Sequence, residues 1–281
     1  MFAILFADDS NFFCTGKDID TLLDTVNSEL EKIIKWLNAN KMSLNIEKNH
    51  YIVFSQKGKC TETEKSLCMN GLPISRVTHT KFLGVQIDSN LTWKNHIAYI
   101  CNKVAKNVGI LIRTRKVFNS VTMRMLYYSM IYPYLSYCIH VWGCVFKTYM
   151  GKIVVIQKRI VRIICGVSRR THSYPLFQAL DILNVEKLYE YTIGLMMYKY
   201  HHSQLPDVIK NLFTTNYEIH NRSTRQSHLL HIPKCRTTLG ERSFKHQATK
   251  IWNNLRENLN VDVKIGTYKK HLKSYLLNIV E

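Results

Sequence analysis

Two short apolar runs, Met1 to Leu5 and Asn11 to Phe13, flank the adjacent carboxylates Asp8 and Asp9. Apolar run, polar tip and apolar run predict a β-hairpin with the acids at its turn. Ile19, Leu22, Leu23, Val26, Leu30, Ile33, Ile34 and Leu37 then recur at spacings of three, four and seven, the signature of one face of an amphipathic helix. Asp18 and Asp20 stand where the helix dipole favours anions and read as cap groups, while Asn40 is placed to end the helix.

The period then shortens. Met42 to Ile46 and Tyr51 to Phe54 predict strands around the tight link Glu47-Lys48-Asn49, and Ser55 to Ser66 is a polar loop. Leu67 to Asn70, Ile74 to Val77 and Phe82 to Ile87 predict further short strands, with Asn70-Gly71 as the turn between the first two. From Leu91 onward the pattern is helical. Ile97, Ile100, Cys101, Val104, Ala105, Val108, Leu111 and Ile112 form an apolar face whose opposite side carries Lys103, Lys106, Arg113, Arg115 and Lys116. Lys152 to Cys165 is a second basic amphipathic segment holding Lys158, Arg159 and Arg162; Gly166 closes it, and Arg169-Arg170 follow. Residues 181 to 202, Gly240 to Leu259 and Thr267 to Val280 predict closing helices around a loop-rich stretch from His201 to Arg242. The fold class is therefore α+β: hairpins and one helix first, then a mainly helical remainder.

Charge sharpens this division. Residues 1 to 100 hold 11 basic and 11 acidic side chains, whereas residues 101 to 281 hold 28 basic and 9 acidic, so the helical part carries the whole net charge of +19. A cation of this kind suits a polyanionic partner, and the 16 tyrosines mixed with the charge offer faces that stack on bases. Met125 to Phe146 carries no charged residue for 22 positions, which is spanning length. Ser129, Pro133, Ser136, His140 and five tyrosines in the same stretch argue instead for two buried helices meeting near Pro133. Eight cysteines without a paired spacing read as buried free thiols of a reducing compartment, and Cys235 stands alone among histidines 201, 202, 228 and 231. Met1 to Phe6 is too short for a signal peptide, so an intracellular place, nucleus or cytoplasm, is expected.

An Asp-Asp pair in a turn is most often a solvated turn or cap. Here apolar strands on both sides would hold Asp8 and Asp9 rigidly, which is what close placement of hard cations by oxygen ligands requires.

The order of the later motifs adds to this: Phe6-Ala7-Asp8-Asp9, a long helix, Leu44-Asn45-Ile46-Glu47-Lys48, then Phe82-Leu83-Gly84-Val85. This order resembles the reverse transcriptases of non-LTR (LINE-type) retrotransposons, most of all the jockey-like elements of animals. The likeness continues through Leu91-Thr92-Trp93 with His96, Tyr132-Pro133-Tyr134-Leu135, Trp142-Gly143, Gln157-Lys158-Arg159 and Trp252-Asn253, essentially the whole chain. It implies a C-terminal piece of a polymerase palm over 1–90, a helical thumb over 91–170 and a helical C-terminal domain over 171–281. Asp8 and Asp9 match the palm acids that hold Mg2+, or Mn2+ in its place, and Lys48 matches the lysine that would donate a proton to, or neutralise charge on, the leaving pyrophosphate, although a turn lysine in solvent would read the same. This chain has Lys48-Asn49 where the family usually has Lys-Thr. Phe82, Leu83 and Gly84 match the primer grip, although an ordinary core strand would read the same. Lys103, Lys106, Arg113, Arg115, Lys116, Lys158, Arg159, Arg162, Arg169 and Arg170 would contact the backbone of an RNA template paired with a DNA primer.

The family's fingers, nucleotide pocket and remaining palm acid have no counterpart here, so dNTP binding is expected only in a full-length polymerase and this polypeptide alone is expected to be inactive. Two other readings stay open: a nucleic-acid-binding helical module without catalysis, and a membrane-associated protein using Met125 to Phe146.

Overall fold

A computed structural model describes residues 1–7, 9–43, 45, 48–55, 62–221 and 224–279. The chain is α+β and divides into two compact units, Met1–Leu91 and Thr92–Glu281.

The first unit opens with a hairpin of β1 (Phe2–Phe6) and β2 (Asp9–Phe13), in register from Phe2 opposite Phe13 to Phe6 opposite Asp9. Helix α1 (Ile19–Ala39) starts where Asp18 accepts a hydrogen bond from the Thr21 backbone N–H at 3.0 Å, which keeps the Asp18 carboxyl below its usual range. It ends at Asn40, whose side-chain amide donates to the Trp36 carbonyl at 2.8 Å. The apolar stripe of α1 buries Leu23, Leu30 and Ile34 against Leu67, Met69 and Ile74, the core of this unit. Full burial of each such side chain contributes about 1.5–3 kcal/mol. Asn27 fixes the register of this packing, donating to the Ser66 carbonyl and accepting from the Cys68 N–H.

Around this core the strands are shorter than their apolar runs suggest. Strand β3 covers only His50–Tyr51 and pairs in parallel with β6 (Ser75–Arg76). Met42 and Ser43 form no strand, nor do Ile52 to Phe54, and Leu44, Ile46 and Glu47 lie outside the described residues. Asn70-Gly71 does make a turn, both residues at positive φ, but it joins β4 (Cys68–Met69) to β5 (Leu72–Pro73), one element earlier than expected. The expected strand Phe82 to Ile87 is instead a hairpin. Leu83 and Gly84 have φ of 43° and 85° and form its turn between β7 (His79–Phe82) and β8 (Val85–Asp88).

The second unit is helical. Helix α2 (Lys94–Thr114) packs along α6 (Lys147–Cys165). The two run in parallel: Arg115, just past the end of α2, donates to the carbonyl of Gly166 at the end of α6, while Cys101 near the start of α2 feels the ammonium of Lys152 near the start of α6. Gly166 takes the left-handed conformation with φ of 70° and closes α6. Between them the uncharged stretch breaks into α3 (Ser120–Met130), α4 (Tyr132–Ser136, with Pro133 in its first turn) and α5 (Ile139–Trp142). Among the described residues no helix is long and apolar enough to cross a membrane.

The short α7 (Tyr174–Ala179) leads to α8 (Val185–His201), onto which α12 (Phe244–Asn258) and α13 (Ile265–Asn278) pack. Three single turns, α9 (Asp207–Lys210), α10 (Asn216–His220) and α11 (Thr238–Glu241), punctuate the loop-rich stretch. Gly143 packs so closely under Tyr189 that an added Cβ would lie 2.3 Å from the ring. The cysteines are free, as expected, but less buried than a core thiol: those at 14, 101, 138, 144, 165 and 235 are half-buried and Cys68 is exposed. Cys60 lies outside the described residues.

Candidate active-site hairpin and nucleic-acid interface

In the first unit, Asp9 is exposed at the start of β2 and Ala7, in the turn, has φ of 52°. Asp8 lies outside the described residues. Because side chains alternate along a strand, Asp9, Asn11 and Phe13 share one face of the hairpin with their partners Phe6, Ile4 and Phe2. Phe82, at the end of β7, sets its edge on Phe13, with ring centroids 6.2 Å apart. The β7–β8 hairpin therefore rests on the face that carries Asp9, but four residues along the strand, about 13 Å away. Ile4 and Asn11 on that face are half-buried, whereas the other residues of both strands are exposed.

A second contact joins the Lys48 segment to the same hairpin. The His50 ring is hydrogen-bonded to the hydroxyl of Thr80 on β7, and the Tyr51 carbonyl accepts from the Val77 N–H at 2.9 Å. Lys48 itself is exposed; its N–H donates to the Asn45 carbonyl. Three of the sequence-predicted elements thus form one connected series, from the Asp9 hairpin through Phe82 to the strand beside Lys48. Among the described residues no contact places the Lys48 ammonium against Asp9. Among the described residues no group of three His, Cys, Asp or Glu side chains gathers at metal-binding distance. The carboxylate oxygens of Asp9 suit a hard cation in kind.

In the second unit the charge is organised more strongly than totals suggest. From residue 89 to 180 the sequence has no Asp or Glu and fourteen Lys or Arg. Of those fourteen, only Arg124 is ion-paired among the described residues, to Asp181 at 3.3 Å. Several of the others turn to carbonyls and rings. Arg113 donates to the Gly109 carbonyl, Arg162 to those of Thr171 and Lys158, and the Lys103 and Lys152 ammoniums lie over Tyr99 and Tyr149.

The parallel pairing of α2 and α6 brings both helix C-termini to one end, where Arg113, Arg115, Lys116, Arg162, Arg169 and Arg170 are set in sequence. The negative helix ends there favour cations. Lys106 and Arg113 are seven residues apart on one face of α2, and Lys152, Arg159 and Arg162 form a stripe on α6 at helical spacing. Lys158 and Arg159 are exposed. The absence of acids from 89 to 180 is directly visible in the sequence.

One further correction concerns Cys235. It is not isolated: its Sγ lies 3.4 Å from Nδ1 of His246, a residue on α12.

Known proteins share sequence with this chain. The chain is 27% identical over 166 residues to an RNA-directed DNA polymerase from the mobile element jockey of Drosophila melanogaster, a match over 57% of this chain and 18% of that protein. It is 23% identical over 184 residues to a probable RNA-directed DNA polymerase from transposon X-element of the same organism, over 64% of this chain and 20% of that protein. A retrovirus-related Pol polyprotein from the type-1 retrotransposable element R1 2 of Nasonia vitripennis matches at 24% over 227 residues, 73% of this chain and 52% of its own length. No family model and no solved structure matches the chain.

The class of protein that the chain is similar to is the RNA-directed DNA polymerase of a mobile element. Within it the chain is similar, at low identity and over part of its length, to the jockey-like, non-LTR retrotransposon reverse transcriptases, and it spans about a fifth of the length of the first two relatives.

Proposed function

We propose that this chain contributes the acid-bearing hairpin, the primer grip and the duplex-holding helices of an RNA-directed DNA polymerase. The observation that carries the reading is the basic surface of α2 and α6. Thirteen cations without a carboxylate partner among the described residues, nine within two parallel helices and four just past their C-termini, suit the phosphate backbone of an RNA–DNA hybrid.

Asp8 and Asp9 would hold Mg2+, which when bound supplies positive charge to the incoming triphosphate and to the primer 3′-hydroxyl. The β1–β2 ladder fixes Asp9 at the mouth of its turn. Phe82, Leu83 and Gly84 would hold the primer end, and the left-handed turn at Leu83-Gly84 exposes backbone there for close approach. Lys48, exposed beside β3, would neutralise charge on, or donate a proton to, departing pyrophosphate. Two adjacent carboxylates fall short of the oxygen shell that two cations need. The reading therefore expects no primer extension by this polypeptide alone.

Two measurements test this. Fluorescence anisotropy with an RNA–DNA hybrid should show binding that weakens steeply with salt and depends little on sequence; salt-independent binding, or none, would overturn the reading. A primer-extension assay on the purified chain should show no template-dependent incorporation.

A further inference from the structure

The motif Trp252-Asn253 has no part in the surfaces described above, yet both residues build one cavity. Between α8, the α9–α10 segment and α12 lies a hollow of about 550 Å3. Its floor is apolar and fully buried: Trp252, Phe213 and Leu230. Tyr200 and His201 line the wall, Tyr200 edge-on to Phe213 at 5.1 Å between centroids and His201 tilted at 6.0 Å from Trp252. The remaining lining includes the cationic side chains of Lys210 and Arg256.

The hollow is held open by hydrogen bonds. Asn253 clamps the backbone of Leu230 twice, accepting from its N–H at 3.1 Å and donating to its carbonyl at 2.9 Å. Arg256 donates through Nη1 to the His228 carbonyl at 3.1 Å, leaving the rest of its guanidinium for another acceptor. On the other side, Asn216 N–H donates to the Leu229 carbonyl and His231 N–H to that of Thr214. The carboxylate of Glu218, which also lines the hollow, accepts from the Thr215 N–H at 2.6 Å and keeps its negative charge beside Tyr200.

We propose that this cavity takes one unstacked nucleotide of a single-stranded nucleic acid, its base against the rings of Tyr200 and His201 and its phosphate on Arg256 and Lys210. Rings beside cations match a unit that has a flat apolar face and an anion one bond series apart. The volume falls within the range of small-ligand pockets, and the walls are set before binding. An apolar ligand would leave the rest of the Arg256 guanidinium unanswered, and a bare anion would leave the rings unused. The inference rests on the proposed function for its class of ligand, but concerns a separate surface.

The test is photo-crosslinking of the full chain to a single-stranded oligonucleotide carrying one 4-thiouridine, with crosslinked peptides mapped by mass spectrometry. Crosslinks are expected at Tyr200, His201, Phe213 or Trp252, reduced at least about fivefold by Tyr200→Ala, the loss of one stacked base. Excess uridine monophosphate should compete them away. Lys210→Glu, whose wild-type ammonium meets Asp207 at 3.4 Å, should weaken the same crosslinks and covers the case in which Tyr200→Ala fails to fold. Crosslinks confined to residues 94–170, or insensitive to both variants, overturn the cavity proposal and leave the helix surface standing. Failure of the oligonucleotide and the hybrid alike to bind overturns both.

Discussion

Gln157 Nε2 donates to the hydroxyl of Tyr127 at 2.9 Å in the interior of the helical unit. The same nitrogen donates to the Leu183 carbonyl, and Oε1 accepts from the Val185 N–H at 2.8 Å, so one amide joins α6, α3 and the start of α8. Burial pushes the Tyr127 phenol well above its usual range, so it stays a neutral partner at any working pH. Gln157→Leu strands the phenol, a carbonyl and an N–H at once. It should destabilise the unit by about 3 kcal/mol or more, against about 1 kcal/mol for Tyr127→Phe, and the double variant should cost less than the sum. Chemical denaturation of the four proteins measures this.

His96 is buried against the rings of Tyr99 and Trp142, and burial lowers its pKa from 6.5 to about 4. Between those values the unfolded chain takes up a proton that the folded chain refuses. The stability this group permits is therefore full above about pH 6.5 and falls as pH drops toward 4, by up to about 3 kcal/mol. His96→Phe should flatten that part of the stability–pH curve, as read by thermal melts from pH 7 to pH 4.

Lys106, Lys158 and Arg159 are exposed, and none is in an ion pair among the described residues. If each meets a phosphate, Ala in its place should lower the slope of log affinity against log salt by about 0.9 per contact for a duplex. Melting temperature should stay within about a degree or two, since surface changes of this kind are nearly neutral to folding. An unchanged slope in the triple variant would remove these side chains from the interface.

Gly143 gives a structural counterpart. A methyl group there would meet both the Tyr189 ring at 2.3 Å and the Ile139 carbonyl at 2.6 Å. Gly143→Ala should destabilise the helical unit by about 1–3 kcal/mol, measurable by urea unfolding. Tyr189→Leu should partly relieve it, because the ring is one of the two obstacles.

Gly84 supplies the second left-handed residue of the β7–β8 turn, at φ of 85°. Gly84→Ala should cost about 1–2 kcal/mol, whereas Gly84→Asn should cost less. Hydrogen exchange at Val85 to Asp88 reports the loss locally.

The helices were legible because their apolar periods run for many turns: α1, α2 and α6 lie where Ile19–Leu37, Ile97–Ile112 and Lys152–Cys165 put them. The strands were less so. A run such as Phe82 to Ile87 says apolar and extended, but two successive positive-φ residues, one of them a leucine, fold it back on itself. Nothing in the residue type of Leu83 announces that. Of the site, the acids and the basic helix faces could be read directly. The contact of Phe13 with Phe82 and the bond from His50 to Thr80 could not, because they join segments 69 and 30 residues apart through packing. The lone appearance of Cys235 misled for the same reason, its neighbour His246 being eleven residues on and placed by a turn.

The acid-free stretch from 89 to 180 has a consequence for folding as well as for binding. With fourteen cations and no carboxylate, it pays self-repulsion whenever it is compact, and deprotonation below about pH 10 cannot relieve it. Small ions can. Added salt should firm up these helices while it loosens their hold on a polyanion, so the fold and the grip of this unit respond to ionic strength in opposite directions.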